Sequence, residues 1–242
     1  MNRKINLTFR RFEFKYQIPK DTADLIIPMI KNYMTWDEYT DKNEYYEVNS
    51  LYYDTPSFEC YHDKIDGVMN RKKFRIRAYN KDVTEDSKLF FEIKRKSDEV
   101  ILKDRIVVQG KDFLKFPNDA FCLLKNKEYD QGFLNEFLFE TQGKMMKPVI
   151  LVTYKRKPFF SKFDRRFRVT LDYDLSITKP KGVTFQGDYQ DIYPDTVILE
   201  VKFNGAMPKW FHDIIETYKM TKRPFSKYCE GIEAYYGLPS YF

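Results

Sequence analysis

Residues 10–18 of the chain, RRFEFKYQI, alternate charged and aromatic side chains with a period of two. Successive side chains of an extended strand point to opposite faces, so Arg11, Glu13 and Lys15 share one face and the aromatic residues share the other. The pattern predicts a β-strand over residues 7–17. One face of this strand is apolar, and the other carries long charged side chains.

Seven further strands are predicted from similar segments. They cover residues 46–53, 72–79, 88–96, 101–109, 148–157, 165–173 and 196–203. Helical spacing predicts helices over residues 19–34, 119–125, 132–141, 208–218 and 226–236. Leu25, Ile26, Met29, Ile30 and Tyr33 form the expected apolar stripe of the first helix. Strands joined mostly by short connections predict an α+β fold, an antiparallel eight-stranded β-barrel covered by peripheral helices.

The charged residues of the predicted strands also fall on alternate positions. They are Arg75 with Arg77, Glu92 with Lys94 and Lys96, Lys103 with Arg105, Tyr154 with Arg156, Arg168 with Thr170, and Glu200 with Lys202. A single charged face of this kind commonly faces water. Repeated over seven strands, the bias towards long basic side chains instead indicates a barrel with a charged lumen.

Such a lumen requires an anion, because close like charges repel one another. Arginine binds phosphate through two parallel hydrogen bonds, and lysine acts as a mobile point charge. Carboxylates among these cations have a second use in holding Mg²⁺ or Mn²⁺ against phosphate oxygens. If the cations share one empty lumen, removal of any one of them is expected to leave stability unchanged or to raise it.

Composition bounds the kind of protein. The chain has 242 residues without a linker-like or repetitive segment, which predicts a single domain over residues 1–242. The three cysteines are scattered, and no apolar stretch is long enough to cross a bilayer, so a cytoplasmic protein without a membrane segment is expected. The net charge of +6 suggests an anionic partner.

Several other functions are disfavoured. His62 and His212 lack metal-ligand spacing and are interpreted as structural or surface residues. The nine glycines include no phosphate-binding loop. Binding of single-stranded nucleic acid would place aromatic and basic residues on one open face, whereas here they alternate, so no nucleic-acid partner is expected. A non-catalytic sensor of polyphosphate or nucleotide stays open as an alternative.

Nine short segments follow one another along the chain. They are RRFEFKYQI at 10–18, NSLYYDTP at 49–56, YHDK at 61–64, FRIRAY at 74–79, FEIK at 91–94, YKR at 154–156, RVTLD at 168–172, LEVK at 199–202 and FSKY at 225–228. In this order and spacing they resemble the VTC-domain polyphosphate polymerases, a branch of the triphosphate tunnel metalloenzyme (CYTH-like) superfamily. The resemblance spans nearly the whole chain.

The resemblance implies an eight-stranded tunnel that uses Mn²⁺ or Mg²⁺ to move the γ-phosphoryl group of a nucleoside triphosphate onto a polyphosphate chain. It assigns phosphate binding to Lys15, Lys64, Arg75, Arg77, Lys94, Lys103, Tyr154, Arg156, Arg168 and Lys227. The implied catalytic set is Lys15, Arg75, Arg77, Lys94 and Glu200. Glu200, together with Glu13, is the implied metal ligand.

Three positions depart from the family pattern. Arg11 stands where the wider superfamily has its first carboxylate, which weakens the alternative of a two-metal triphosphatase. Lys64 and Arg223 lie at or near positions where the family often has Arg and Lys. Nothing in the chain resembles the membrane segments of the eukaryotic polymerases, so coupling to a membrane would require a separate partner protein.

Overall fold

Antiparallel β-strands and short helices organise the structure. The computed structural model describes residues 11–36, residue 40, residues 45–98 and residues 100–239. Within these ranges the strands are β1 (Arg11–Pro19), β2 (Met34–Trp36), β3 (Tyr46–Asp54), β4 (Arg71–Ala78), β5 (Lys88–Ser97), β6 (Val100–Gln109), β7 (Lys147–Ser161), β8 (Arg168–Thr178), β9 (Gln190–Asp191) and β10 (Thr196–Asn204). The α-helices are α1 (Lys20–Tyr33), α2 (Glu59–Ile65), α3 (Gly110–Phe113), α4 (Gln131–Gly143), α5 (Lys209–Thr217) and α6 (Lys227–Tyr236), and a 3₁₀ helix covers Ala120–Lys125.

All the strands belong to one sheet. Its order is β1-β10-β8-β7-β3-β4-β5-β6, with β2 beside β7 and β9 beside β8. Every pairing is antiparallel. The predicted combination of helices with a large antiparallel sheet is confirmed. The sheet ends at β1 and β6, and no hydrogen-bonded ladder joins these strands in the described ranges, so the predicted closure into a barrel is not present there.

Each of the eight predicted strands corresponds to one strand of the main path. The predicted first strand also included residues 7–10, which lie outside the described residues. β8 was predicted to begin at residue 165, but the chain turns there and pairing starts at Arg168. β2 and β9 have three and two residues and are too short to show a periodic pattern.

The apolar side of the sheet is covered by helices in two places. Under α4, aromatic and aliphatic residues of β3, β4 and β5 form one cluster around Phe74, Phe91 and Phe137. Under α1 and α5, residues of β1, β8 and β10 form a second cluster around Val201 and Phe211. None of the helices in the described part is long and apolar enough to span a bilayer.

The buried stripe of α1 differs from the predicted one. Its buried residues are Ala23, Ile26, Ile27 and Ile30. Their spacing of three, four and seven residues defines a single helical face. Leu25, Met29 and Tyr33 were expected in the core, but they lie beside this face and stay exposed.

Helix α6 packs on the opposite side of the sheet from α4. Its residues Tyr228 and Ile232 contact a cluster that includes Val48, Tyr52 and Val152. Tyr52 pairs directly with Arg75 across the strands, so α6 covers part of the face that carries the charged residues. That face is therefore apolar at one end, and the first turn of α6 lies at the boundary between its apolar and charged parts.

The buried carboxylate of Asp54 joins β3, α2 and α6. It accepts hydrogen bonds from the backbone N–H groups of Thr55 (2.7 Å), Cys60 (2.9 Å) and Tyr61 (3.1 Å). It also accepts the hydroxyl of Tyr228 in α6. Donors from the first turn of α2 and from α6 thus meet at one carboxylate, which fixes the position of α6 relative to the sheet.

The substitution Asp54→Ala is expected to lower the free energy of unfolding by about 3 kcal/mol or more, because several buried donors lose their acceptor together. Asp130→Ala is the control: Asp130 caps α4 through one hydrogen bond to the N–H of Phe133 at an exposed position. Its loss should cost about 1 kcal/mol. Urea denaturation of both variants measures the difference, and equal losses would contradict the proposed role of Asp54 as a junction.

Candidate anion-binding site

Cross-strand pairing places the predicted charged residues on a single side of the sheet, here called the charged face. Its directly opposed pairs include Lys15–Glu200, Arg75–Glu92, Arg156–Asp172, Lys73–Lys94 and Lys94–Lys103. Opposed residues of an antiparallel pair have their side chains on the same side and in contact range. The alternation in the sequence therefore assigned these residues to the correct face.

Asp172 is fully buried and holds two cations from different elements. The guanidinium of Arg156 in β7 donates two parallel hydrogen bonds to its carboxylate, at 2.6 and 2.7 Å. Lys227, the first residue of α6, places its Nζ 2.6 Å from the same carboxylate. Burial would raise the pKa of Asp172, but Arg156 and Lys227 outweigh burial and hold the pKa below its usual range. Asp172 therefore stays ionised and fixes both cations.

Glu92 holds two cations in the same way on the charged face of β4, β5 and β6. Its carboxylate, 1% exposed, contacts Arg75 of β4 at 2.5 Å and also pairs with Lys103 of β6. Burial alone would raise the pKa of Glu92, but Arg75, Arg77 and Lys103 lower it to about 2. Arg75 also donates a hydrogen bond to the hydroxyl of Tyr52 at 3.1 Å.

Glu200 and Glu13 form the third acidic group of the charged face. Lys15 lies between them, with Nζ 3.2 Å from Glu13 and 3.9 Å from Glu200. Lys202 also contacts both carboxylates. The pKa of Glu200 would be raised by its burial, but Lys202 and Lys15 hold the pKa well below its usual range. The side chain of Glu13 is 35% exposed, so one of the two carboxylates is open to solvent.

Lys73, Arg77 and Lys94 are among the cations of the charged face that lack a carboxylate partner in the described part of the chain. Lys94 makes no ion pair there, Lys73 donates to the hydroxyl of Ser226, and Arg77 donates to the hydroxyl of Ser50. Lys94 lies directly between Lys73 and Lys103 on the neighbouring strands. Like charges in this position destabilise a sheet.

This crowding changes the titration of the three opposed lysines Lys73, Lys94 and Lys103, here called the lysine row. Burial is the largest cause of the lowered pKa of Lys94, about 8, and repulsion from Lys15, Lys73 and Arg75 adds to it. The pKa of Lys103 is also lowered to about 8, by burial and by Arg75. A bound anion would remove this repulsion, so the row is the part of the face most clearly prepared for a ligand.

Tyr52 lies among the same cations. Burial would raise the pKa of its hydroxyl, but Arg75, Arg77 and Lys73 outweigh burial and lower the pKa to about 8. The side chain is buried and its ring contacts that of Tyr228 in α6. Tyr52 therefore connects the cationic part of the face with its apolar end.

The two ends of the sheet act on one another electrostatically. Glu13 of β1 raises the pKa of Lys94 in β5, and Lys15 of β1 lowers it. β1 is one end of the strand order and β5 is next to the other end. Lys15 of β1 also donates to the carbonyl of Phe225 at 2.9 Å, and Lys73 of β4 donates to the hydroxyl of the next residue, Ser226, at 3.2 Å, so side chains from both halves of the strand order meet before α6.

Several predicted residues lie at the edge of this site. Arg168 is exposed, donates to the carbonyl of Arg165 and packs on Phe160, so it does not join the carboxylate groups. Lys64 in α2 has a pKa lowered by burial and by nearby cations that include Lys73 and Lys15, which places it beside the site.

The remaining residues discussed in the sequence analysis are Arg223, Arg11 and Tyr154. The side chain of Arg223 is exposed, while its backbone N–H donates to Lys15 O at 3.0 Å. The side chain of Arg11 lies outside the described part of the structure. Tyr154 is buried, with Arg156 and Lys227 at 5.2 and 4.6 Å from its ring centroid.

The sequence assigned no binding or catalytic role to five residues of this site: Tyr52, Lys73, Glu92, Asp172 and Lys202. Of these, Glu92 and Lys202 were already placed on the charged face. Each of them lies two positions from a predicted site residue or opposite one, so the alternation already contained a signal for them. Asp172, for example, follows Arg168 and Thr170 on the same face of β8. Their partners could not be predicted, because ion pairs depend on the register between strands.

The histidines lie outside this site. His212, Asp213 and Glu216 in α5 bring three donor atoms within 4.8 Å of one another, but all three side chains are exposed. His62 contacts the ring of Tyr61 in α2. Exposed acidic groups on a helix are common without an ion, so the interpretation of His212 as a surface residue holds.

The ion pairs revise the expectation that removal of any one cation leaves stability unchanged or raises it. Removal of Arg75 or Arg156 would not simply relieve repulsion, because each of them neutralises a buried carboxylate. Breaking such a pair leaves an uncompensated charge in the interior. The expectation still applies to Lys94, which has only cations beside it on the neighbouring strands.

Arg156→Ala is expected to lower the free energy of unfolding by roughly 3 kcal/mol, because Asp172 keeps only Lys227 as a partner. Lys94→Ala should leave it within about half a kcal/mol or increase it. Lys125→Ala is the control, since Lys125 is 77% exposed and pairs with the exposed Asp119. Chemical denaturation without ligand measures the free energy of unfolding of the three variants. Equal losses for Arg156→Ala and Lys94→Ala would contradict the distinction between cations that pair with a buried carboxylate and cations that do not.

Comparison with known proteins places this geometry in a family. The VTC domain matches residues 10–236. The vacuolar transporter chaperone complex subunit 4 of Schizosaccharomyces pombe is 24% identical, over 76% of this chain and 31% of that protein. The protein of the same name in Trypanosoma brucei brucei is 24% identical, over 78% of this chain and 28% of its own length. The chain thus spans about a third of the length of these relatives.

A solved structure shares the fold. It is a Bacillus halodurans protein provisionally described as an adenylate cyclase, with a TM-score of 0.54 and 13% identity over 93% of this chain and 96% of its own. At this identity the similarity concerns the fold alone. Since the family match covers nearly all of the strands that build the charged face, the chain belongs to the VTC domain family.

Proposed function

We propose that the protein is a polyphosphate polymerase-type phosphotransferase, which moves the γ-phosphoryl group of a nucleoside triphosphate onto a polyphosphate chain. The observation that carries this proposal is the row Lys73–Lys94–Lys103, in which three positive charges are opposed on neighbouring strands. Lys103 pairs with Glu92, and the other two form no ion pair with a carboxylate in the described residues. A row of this kind fits a linear anion with several charges. Membership in the VTC domain family and the resemblance to its polymerases support the same activity.

In this proposal the cations divide the work of holding phosphate. Arg75, Arg156 and Lys227 are fixed by buried carboxylates and present donors in set positions. Lys94 and Arg77 lack such partners in the described residues and supply the uncompensated charge. The remaining phosphate-binding residues are Lys15, Lys64, Lys103, Tyr154 and Arg168, of which Arg168 would have to turn from its present contacts.

Phosphoryl transfer requires few protein groups beyond these cations. Phosphoryl transfer depends mainly on positioning the phosphates and on neutralising the charge that develops on their oxygens. Donors that are already fixed do so without reorganising during the reaction. Lys15, Arg75, Arg77 and Lys94 are the proposed catalytic cations, and no covalent nucleophile is required.

The two carboxylates Glu200 and Glu13 fit a divalent cation. Burial and Glu200 would raise the pKa of Glu13, but Lys15 and Lys202 outweigh them and lower it, and Lys202 and Lys15 hold the pKa of the buried Glu200 well below its usual range. Both side chains would therefore offer charged oxygens. Carboxylate oxygens are the ligands that Mg²⁺ and Mn²⁺ prefer. Glu200 and Glu13 would hold the ion, which would supply positive charge for the phosphate oxygens. Lys15 and Lys202 now contact the carboxylates and would move towards the phosphates.

A tunnel whose edge strands β1 and β6 are not hydrogen-bonded to each other is also part of the proposal. The electrostatic interaction of Lys94 with Glu13 and Lys15 supports close approach of the two sheet ends. We propose a single domain in which the curled sheet forms an eight-stranded tunnel around the anion. The relatives named above are subunits of a vacuolar transporter chaperone complex, which supports a partner protein for this chain. A cytoplasmic site of action stays a prediction from the sequence.

Incubation of the purified protein with adenosine triphosphate and Mn²⁺ is expected to produce polyphosphate, which is detected by its migration on a polyacrylamide gel and by digestion with a polyphosphatase. The substitution Glu200→Gln keeps the shape of the side chain but removes its charge. It should abolish metal-dependent synthesis, because a metal ligand is lost.

The other possible results separate the alternatives. Release of inorganic phosphate without polymer would identify a triphosphatase and refute the polymerase. Binding of polyphosphate without any turnover would identify a sensor. Full activity of Glu200→Gln would remove Glu200 from the site. Glu216→Gln, a change at an exposed position of α5, is the matched control and should keep full activity.

The affinity for inorganic tripolyphosphate is expected to fall as the pH rises above 8. The pKa of Lys94 is lowered to about 8 in the empty protein, so Lys94 loses its charge above that pH, although an unfolded lysine would keep it to a pH of about 10.4. The bound anion favours the charged lysine, and binding must therefore take up protons in this range.

Titration calorimetry at several pH values measures this change in affinity. Lys94→Met should bind more weakly at pH 7 and show a shallower decline above pH 8. Lys125→Met, at an exposed site away from the charged face, should keep the slope of the unaltered protein. A slope that is the same in all three proteins would show that Lys94 does not touch the anion.

A further inference from the structure

Three aromatic rings lie at the end of the charged face where β3 begins and β4 ends. The ring of Tyr79, just after β4, is 5.4 Å from the ring of Tyr46 at the start of β3. It is also 5.4 Å from the ring of Phe90 in β5. Tyr79 follows Arg77 by two positions, and Phe90 lies directly opposite Arg77, so all three rings share the charged face.

These rings are placed unlike the aromatic cluster beneath α4. The rings of Phe74, Phe91 and Phe137 are buried beneath α4. Tyr79 is 41% exposed although it stands between two other rings. The guanidinium of Arg105 lies 5.2 Å from the ring centroid of Phe90. The cluster therefore presents a partly open aromatic surface with a cation beside it.

The cluster continues directly into the proposed phosphate site. Along β4 the charged face carries Tyr79, Arg77, Arg75 and Lys73 in turn, at intervals of two residues. Successive members of such a series are about 6.7 Å apart along an extended strand. Tyr46 lies directly opposite Arg156, which extends the same sequence of aromatic and basic groups to β7. An anion held by the arginines would thus have an aromatic surface at one end.

Two explanations fit an aromatic cluster at a sheet end. Cross-strand aromatic pairs stabilise sheets by themselves, and the edge-to-face contacts of Tyr79 are of this kind. Such stabilisation does not require Tyr79 to be exposed or to lie in line with the arginines. A flat, uncharged group attached to a chain of phosphates requires both, because it stacks on open rings while its phosphates reach the cations.

We propose that Tyr79, Phe90 and Tyr46 form a nucleobase subsite, on which the base of the nucleoside triphosphate stacks while its phosphates extend towards Arg77, Arg75 and Lys94. This inference rests on the proposed function and adds an orientation to it. The nucleoside enters at the aromatic end of the charged face, and its γ-phosphate points towards the lysine row. Purines, which offer the larger stacking surface, bind better than pyrimidines.

The test compares the binding of adenosine triphosphate with that of inorganic tripolyphosphate, measured by calorimetry without divalent metal so that no turnover occurs. Tyr79→Ala should weaken the binding of adenosine triphosphate by about five- to a hundredfold, as expected for loss of one stacking partner. Tripolyphosphate, which has no base, should bind this variant as it binds the unaltered protein. Tyr79→Phe, which keeps the ring, should restore the affinity for adenosine triphosphate.

Tyr235→Ala is the matched control, because Tyr235 in α6 is 40% exposed and packs on the neighbouring Tyr236. It should change neither affinity. Equal affinities of Tyr79→Ala and the unaltered protein for adenosine triphosphate would overturn the subsite and leave the phosphate site standing. An equal loss for both ligands would assign Tyr79 to the packing of the sheet. Failure of the unaltered protein to bind tripolyphosphate would overturn the proposed function and the subsite with it.

Discussion

Ion pairs between buried carboxylates and cations from different elements hold the charged face together. Opposed cations on one side of a sheet repel each other, and the fold could not bring them together without compensation. Asp172 joins β7 to α6 through Arg156 and Lys227, and Glu92 joins β4 to β6 through Arg75 and Lys103. Each carboxylate neutralises part of the charge and also fixes the donors. Fixed donors lose little freedom when a ligand binds, so the same pairs that permit the fold prepare the site.

The position of α6 follows from this constraint. A face that was charged along its whole length would leave no apolar surface for a helix, yet Val48, Val152 and Ile177 interrupt the charges at one end. Helix α6 covers that end, and Asp54 binds its Tyr228. The first turn of α6 is thereby held at the border of the charged region, where Lys227 reaches Asp172. The apolar end of the face therefore positions a basic residue of the candidate site.

Much of this arrangement could be predicted from the period of two in the strands. The alternation placed Lys15, Arg75, Lys94 and Glu200 on one face, because strand geometry alone decides the side of each residue. Which carboxylate meets which cation depends on register between strands distant in sequence, as in the contact of Arg75 with both Glu92 and Tyr52. The helix on the charged face was not predicted either, since a helix pattern gives the apolar stripe but not the surface that it covers.

Cations that pair with a carboxylate and cations that do not lie on different parts of the charged face. On the side of β7, β8 and α6, Arg156 and Lys227 are compensated by Asp172. On the side of β4 and β5, Arg77 and Lys94 have no carboxylate of their own in the described residues. Glu13 and Glu200 belong to β1 and β10, at the other end of the strand order from Lys94, and Glu13 raises the pKa of Lys94. An anion drawn to the uncompensated side would therefore lie between the lysine row and this pair of carboxylates. Glu13 and Glu200 would hold a divalent cation, which would supply positive charge to the phosphates in addition to that of the lysine row.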